Sequence, residues 1–352
     1  MPRTRSNRSG SGGRVTQQRI AELAGVSQAT VSLVLNERRD GPARIPEETR
    51  QRVLRIIQET RYVADPSARR LAGVNSDIIG VFTYESAFPS QTYDFYAPLL
   101  TGIEAEAEQV GCDLLMFTSA PVEGGHRRLF SGRNRLRLAD GVLLLGVEMD
   151  PDELDRLVDE SFRVVAVGRR DSPRIPYVGI DYVRGAADLV RRAVGLGHTR
   201  VLSLRRGIAG ESVTDRRNGV HAGIEGTGAE LVERSAGADD LPRAWEAVVE
   251  LEPTLVVVDE PELAEQLLER AEGSGLRVPQ DLSVIALAAP TRNGRIESRL
   301  TCLDPPRIEL GRRSMALLTR ILSDDAPAPE QLRTLLPCGV REGTTLAPPP
   351  DH

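Results

Sequence analysis

From Asp77 onward, short apolar runs alternate with amphipathic stretches, and no other feature of the sequence restricts the fold so closely. The runs are IIGVF, DLLMF, GVLLLG, RVVAVG, RVLSL, TLVVV and LSVIAL. Between them lie segments with helical apolar spacing, among them 99–109, 151–160, 185–194, 245–250 and 262–272. A strand that is apolar at successive positions must be covered on both faces. Helical crossovers supply that cover, so the pattern predicts parallel sheets in an α/β architecture. A segment of about 260 residues is too long for one compact sheet, which predicts two lobes, each with its own parallel sheet.

The first fifth of the chain follows a different pattern. Residues 1–14, MPRTRSNRSGSGGR, offer almost nothing apolar to bury and predict a disordered arm. In TQQRIAELAGVSQATVSLVLNE, Thr16 caps a helix carrying Ile20, Leu23 and Ala24, and Gly25 supplies a left-handed exit. Ser27 caps a second helix with Val31, Val34 and Leu35 on one face. A polar loop is expected over Glu37–Arg44. Pro46 then takes the first position of a third helix bearing Val53, Ile56 and Ile57. Three short helices around one small core make an all-α domain over 15–63.

Charge separates the same two parts. All 45 basic residues are Arg and none is Lys, which excludes any chemistry that needs an amine, such as a Schiff base or a phosphate-loop lysine. The formal net charge of −6 combines a net +7 over residues 1–75 with −13 over the remainder. A basic head on an acidic body suggests a nucleic-acid-binding module joined to something that binds otherwise. Cys112, Cys302 and Cys338 are odd in number and widely spaced, so they predict reduced thiols and no disulfide framework or zinc cluster. There is no apolar run of membrane length and no secretory signal at the start, which predicts a cytoplasmic protein with no membrane partner.

Two short helices separated by AGVS have the form of a helix-turn-helix. In that geometry the first helix braces on the DNA backbone and the second lays its N-terminal residues in the major groove. Gln28, Ala29 and Leu33 lie off the core face of the second helix and are candidates for base contact. Thr16, Ser27, Thr30, Ser32 and Asn36 are short hydrogen-bonding residues suited to phosphate oxygens, which set register without reading sequence.

The strings VTQQRIAELAGVSQATVSLVLN, RIPEETRQRVLRIIQETRYVADPSARRLAG and IIGV run collinearly from Val15 to Val81 and closely resemble the LacI/GalR family of bacterial transcriptional regulators. Further on, VVAVGRR, VGIDYVRGAADLV, LGHTRVLSL, the Arg216-x-x-Gly219 pair, SGLRVPQDLSVIAL and the late REGTT resemble the family's effector-binding core in order and spacing. The resemblance covers most of the chain. It implies a helix-turn-helix head, a hinge helix and linker over 64–76, and a two-lobed periplasmic-binding-protein-like core over 77–343 that binds an effector and dimerises; the short tail over 344–352 is expected to be disordered from its proline-rich composition.

By position, the resemblance places Gln28, Ala29 and Leu33 at the family's main base-reading sites. Leu33 stands where many members have Arg. A leucine cannot make a bidentate contact to guanine, so apolar contact with a thymine methyl or base edge is expected. Within the hinge segment ADPSARRLAG, Ala68 and Leu71 are one turn apart, and Leu71 matches the family's leucine wedge, which unstacks a central base step from the minor groove. In the core, Arg216 matches an arginine that holds effector hydroxyls or a carboxylate. Phe95 or Tyr96 resembles an aromatic that flanks a sugar, and Glu260 falls at a polar family position. Two positions depart from the pattern. ALAA at 286–289 replaces an acidic GYDD, and Arg307 replaces an apolar or aromatic wall residue, which tilts the pocket toward a less hydroxylated or more anionic effector.

The expected molecule is a homodimeric regulator, most often a repressor in this family, with operator DNA and a small molecule as partners and no cofactor or metal. No HExxH, GxSxG or strand-following GxGxxG occurs, and His126, His198, His221 and His352 are scattered, so no catalytic constellation competes. A solute-binding protein using the same core for transport is the alternative, and it leaves the basic head unexplained.

Overall fold

The computed structural model describes residues 15–40, 45–62, 75–85, 93–124, 126–130, 135–205, 207, 210–290, 299–323 and 325–350, with the backbone alone for 36–40 and 93–94. The expected arm and the hinge segment with Ala68 and Leu71 lie outside the described residues. The chain divides into two units, Met1–Ser76 and Asp77–His352.

In the first unit α1 (Gln17–Ala24), α2 (Gln28–Asp40) and α3 (Glu47–Thr60) enclose one core. Ile20, Ala21, Ala24, Val31, Val34 and Val53 are buried in it. Thr16 accepts the Arg19 amide (3.2 Å), and Gly25 leaves α1 at φ 63°, a left-handed position where a glycine avoids a Cβ penalty. Three local expectations change. Leu23 is 48% exposed, and Ala21 takes its place in the core. At 100° per residue Ile20, Ala21 and Ala24 share one face, and their small side chains admit the neighbouring helices. The second helix runs on through the expected loop as far as Asp40, because Glu and Arg are good helix formers. Pro46 is the cap of α3, and its first helical residue is Glu47.

In the second unit β1 (Ile78–Thr83), α4 (Tyr93–Val110), β2 (Asp113–Phe117), the small hairpin β3 (Val122–Glu123) and β4 (His126–Arg127), β5 (Gly141–Leu145), α5 (Pro151–Asp159), β6 (Val164–Val167) and β7 (Tyr177–Asp181) form most of the first lobe. The second lobe follows with α6 (Tyr182–Gly195), β8 (Arg200–Arg205), α7 (Glu211–Ile224), β9 (Glu230–Ser235), α8 (Leu241–Leu251), β10 (Leu255–Val258), α9 (Pro261–Gly273), β11 (Ser283–Ala286) and β12 (Thr301–Asp304). The chain then returns to the first lobe through α10 (Arg307–Leu322) and β13 (Arg333–Pro337), and ends in the second sheet with β14 (Gly339–Arg341).

The first sheet has the order β13-β7-β6-β5-β1-β2 and is parallel throughout. The second has the order β14-β12-β11-β10-β8-β9 and is parallel except at β14. Each sheet is apolar on both faces, as a fully covered sheet must be. The chain therefore crosses between the lobes at Asp181–Tyr182, at 304–307 and at 337–339. Asp181 caps α6 by accepting the Arg184 amide (3.0 Å), so its role at the first crossing is structural.

Two helices of the first lobe touch backbone to backbone. A Cβ on Gly102 of α4 would lie 1.9 Å from the Ile308 carbonyl oxygen, and one on Gly311 of α10 would lie 2.1 Å from that of Leu99. The two glycines let α10, with Arg307 at its start, press onto α4, which carries Phe95 and Tyr96.

The tail expected to be disordered is packed over 344–350. Thr345 is fully buried; its hydroxyl accepts the Thr301 amide (3.0 Å) and donates to the Val284 carbonyl (2.6 Å), while its own carbonyl accepts the Val284 amide (2.9 Å). Ala347 donates its amide to Ser283 Oγ (3.2 Å). Proline content misled the expectation. The segment satisfies exposed backbone groups at the ends of β11 and β12, and a Pro-rich chain can do so through its non-proline residues.

His198, buried at the edge of this lobe, donates Nε2–H to the Ala347 carbonyl (2.8 Å) and has no partner for Nδ1 among the described residues. Burial pushes its pKa below the ordinary 6.5, and the bond to Ala347 offsets part of the change. The unfolded chain therefore takes up the proton first as pH falls. The stabilisation from neutral His198 is complete above pH 6.5 and declines below it. Melting temperatures between pH 8 and 5 are expected to fall more steeply below 6.5 for the native chain than for His198→Gln. Parallel curves would refute this.

Candidate functional site

In the head, α2 presents two faces. Val31 and Val34 are buried, whereas Gln28 and Ala29 are exposed and Leu33 is 51% exposed. Gln28 and Ala29 form the first turn of α2, and Leu33 lies four residues beyond Ala29 on the same side. The first turn is held by Ser27, whose hydroxyl accepts the Thr30 amide (3.1 Å) and lies 2.9 Å from the Thr30 hydroxyl. Thr16 and Ser27 are exposed, Thr30 and Ser32 half-buried, and Asn36 lies on the same helix with only its backbone described. Arg52 of α3 donates to the Ala24 carbonyl (3.0 Å), fixing the third helix to the end of the first. The result is a rigid hairpin whose second helix has a free, mixed polar and apolar face.

In the core, a cavity opens between the lobes. Its walls include Phe95, Tyr96 and Leu99 of α4, Gly168, Arg169 and Arg170 after β6, Tyr182 of α6, Ser212, Asp215 and Arg216 of α7, and Arg307 and Leu310 of α10. Phe95 and Tyr96 meet edge to face with centroids 5.0 Å apart. Tyr96 is buried and donates its hydroxyl to Glu85, which also lies 3.5 Å from His126 Nδ1. Burial, followed by the charge of Glu85, raises the Tyr96 pKa and keeps the phenol protonated. Phe95, Tyr96, Arg216 and Arg307 are thus brought together. Glu260 is not among the lining residues; its carboxylate accepts the Ala238 amide (2.6 Å) at the start of α9. Nor does the ALAA segment line the cavity, since Ala286, Leu287 and Ala289 are buried in the second lobe's core.

Two pairs of ions bridge the lobes across this cavity. Arg169 grips Asp215 with Nε (2.6 Å) and Nη2 (2.8 Å), and its Nη1 reaches Asp171 (2.6 Å). Arg170, only 5% exposed, donates to Glu211 Oε2 (2.6 Å) and to the Gly146 carbonyl (2.6 Å). Its bond to Asp215 holds the Arg169 guanidinium above the usual arginine range. Burial pushes the Asp215 carboxyl up, and Arg169 offsets part of that. These bridging residues were not singled out from the sequence. The one trace of them was the doubled arginine of VVAVGRR, directly after a fully apolar strand.

Arg216 and Arg307 differ from Arg169 and Arg170. Arg216 lies over the Tyr182 ring (4.6 Å) and Arg307 over the Phe95 ring (5.7 Å), and among the described residues neither forms an ion pair or a hydrogen bond. The Arg216-x-x-Gly219 spacing has a local cause. A Cβ on Gly219 would lie 2.6 Å from the Val183 carbonyl oxygen, so glycine lets α7 close onto α6 and sets Arg216 one turn away at the cavity. Among the described residues no group of His, Cys, Asp and Glu could hold a metal ion, and no helix is long and apolar enough to cross a membrane. Cys112, Cys302 and Cys338 form no disulfide among the described residues.

Residues 16–65 match the family described as bacterial regulatory proteins, lacI family, and residues 190–346 match the periplasmic binding protein-like domain. Catabolite control protein A of Priestia megaterium is 27% identical over 322 residues, covering 88% of this chain and 93% of that protein. The HTH-type transcriptional regulator CelR of Thermobifida fusca is 27% identical over 331 residues, covering 91% and 95%. Among solved structures, the Lac repressor dimer bound to operator and the anti-inducer ONPF superposes with a TM-score of 0.73 at 22% identity, over 95% of this chain and all of that one. With a lacI-type helix-turn-helix ahead of a two-lobed periplasmic-binding-protein-like core, this chain belongs to the LacI/GalR family of bacterial DNA-binding transcriptional regulators.

Proposed function

We propose that the protein is a homodimeric cytoplasmic repressor, without catalytic activity, whose hold on operator DNA is set by a small molecule bound between its lobes. The observation that carries the reading is the free face of α2, where exposed Gln28, Ala29 and Leu33 stand off a buried core on a basic head. In this reading those three residues touch base edges. Thr16, Ser27, Thr30, Ser32 and Asn36 contact phosphates, and Ala68 and Leu71 enter the minor groove as paired hinge helices. Phe95, Tyr96, Arg216 and Arg307 receive the effector, while Glu260, engaged with Ala238, is left out. The relatives support an effector in the cleft, since CelR has been solved with cellobiose and Lac repressor with an anti-inducer. Ligand binding shifts lobe closure, and DNA must change effector affinity by the same factor in return.

The test is selection of bound duplexes from genomic fragments, followed by gel shift on the enriched site. Binding to one near-palindromic site, weakening steeply with salt, is expected. Gln28→Ala is expected to weaken that site about tenfold and relax preference at one base pair, while leaving random-duplex affinity unchanged. Equal loss on random DNA would assign Gln28 to the phosphates. Enrichment of no sequence at all would remove the operator reading.

A further inference from the structure

Four arginines line the inter-lobe cavity, and two of them have no counter-ion among the described residues. Arg169 and Arg170 are matched by Asp215, Asp171 and Glu211. Among the described residues Arg216 and Arg307 form no ion pair, and Asp304, a carboxylate whose charge acts on Arg307, is itself paired with Arg341 (3.1 Å). The guanidinium groups of Arg216 and Arg307 rest on Tyr182 and Phe95, and Nε of Arg216 is buried with no hydrogen-bond partner among the described residues. Burial pushes Arg307 below the ordinary arginine range; Tyr182 and, less strongly, Asp304 act in the opposite sense, and Arg216 adds to the depression. Stacking on a ring compensates a desolvated cation only in part. Two such cations facing one cavity are costly to fold, and an oxyanion entering between the lobes would remove the cost.

The acceptors in the same walls point the same way. A neutral sugar presents many hydroxyl donors and needs carboxylates or amide oxygens to receive them. Here both oxygens of Asp215 are engaged by Arg169, and the carbonyls of Gly146 and Val147 receive Arg170 (2.6 and 3.3 Å). The Tyr96 hydroxyl is bound to Glu85. Among the described lining residues, guanidinium donors thus outnumber carboxylates, and the hydroxyls of Tyr182 and Ser212 remain as groups that can donate or accept.

We infer that the effector is an anion, a small molecule whose carboxylate or phosphate group is held by Arg216 and Arg307 together, with the rings of Phe95 and Tyr182 beside it. Guanidinium forks match the planar geometry of such oxyanions, and two forks distinguish them from a neutral hydroxyl. The inference rests on the reading of the cleft as the effector site.

The experiment uses the full chain and four anions, inorganic phosphate, citrate, gluconate and glucose 6-phosphate, beside neutral glucose and cellobiose, each followed by titration calorimetry and thermal melting. At least one anion is expected to bind and raise the melting temperature, and neither neutral sugar is. Arg216→Met and Arg307→Leu are each expected to weaken that anion ten- to a hundredfold. Carboxylates and phosphates in the panel tell which oxyanion is preferred. Without ligand, Arg307→Leu is expected to raise the melting temperature, because it removes an uncompensated cation. A lower ligand-free melting temperature for Arg307→Leu, or binding of none of the four anions, overturns the inference. Binding of glucose or cellobiose in place of the anions also removes the charge inference but leaves the cleft as the effector site. An anion whose affinity ignores both substitutions removes the cleft reading itself.

Discussion

Asp215→Ala is expected to lower the stability of the core by about 3 kcal/mol, the cost of stranding a largely buried partner charge. In the native chain the Asp215 carboxylate receives two parallel bonds from Arg169, and the rest of that guanidinium reaches only the exposed Asp171. Losing Asp215 strips two of the three bonds from this guanidinium and leaves it only the exposed Asp171, in a cavity that Arg216 and Arg307 also line. Arg169→Met combined with Asp215→Leu removes both charges and is expected to recover most of the loss. Urea unfolding followed by the single tryptophan, Trp245 of α8, reads the second lobe directly. A loss below about 0.5 kcal/mol, the range of an ordinary exposed ion pair, would mean that the bridge contributes no more than a surface contact.

Gly311→Ala is expected to destabilise the first lobe by about 2–3 kcal/mol even though alanine is the better helix former by about 1 kcal/mol. Its Cβ would meet the Leu99 carbonyl oxygen at 2.1 Å, a backbone atom that cannot move aside without carrying α4 with it. The change should also reach the cleft. Arg307 begins α10 four residues before Gly311, and Phe95 lies on α4, so parting the helices takes the guanidinium off its ring. Weakened effector binding should accompany the lost stability. Gly195→Ala, at the exposed end of α6 where a Cβ meets nothing within 4 Å, serves as the control and is expected to be neutral or mildly stabilising. Equal effects at the two glycines would remove the close-contact explanation.

Six of the seven strands that were legible in the sequence are buried over most of their length. All seven apolar runs are strands: a strand covered on both faces has few polar positions to obscure it, and the half-buried edge strand β2 stands out because its residues after Asp113 are all apolar. Edge strands with polar residues were not legible: β9 reads ELVERS, and β13 is exposed at most positions, so neither stands out from the amphipathic background. Leu23 shows the limit of spacing alone. It satisfies the helical period as well as Ala21 does, and which of the two faces inward depends on neighbouring helices that a single helix does not specify. At the cleft, Arg216 and Arg307 were found by position within a motif. The bridging pairs Arg169–Asp215 and Arg170–Glu211 join residues more than forty apart along the chain, and local sequence carries no sign of such partners.

The three passages of the chain between the lobes also bear on how the protein is made. The first sheet cannot be completed until β13 is present, and α4 cannot be covered until α10 is, although β1 and α4 leave the ribosome more than two hundred residues earlier. The head needs only residues within the first unit and can fold while translation continues. The lobe whose synthesis starts first thus waits longest for its partners, and the second sheet is completed only a few residues after it by β14. A message broken before Arg307 would release a folded head on an unfinished core, and a single head cannot span the two half-sites that the proposed dimer reads.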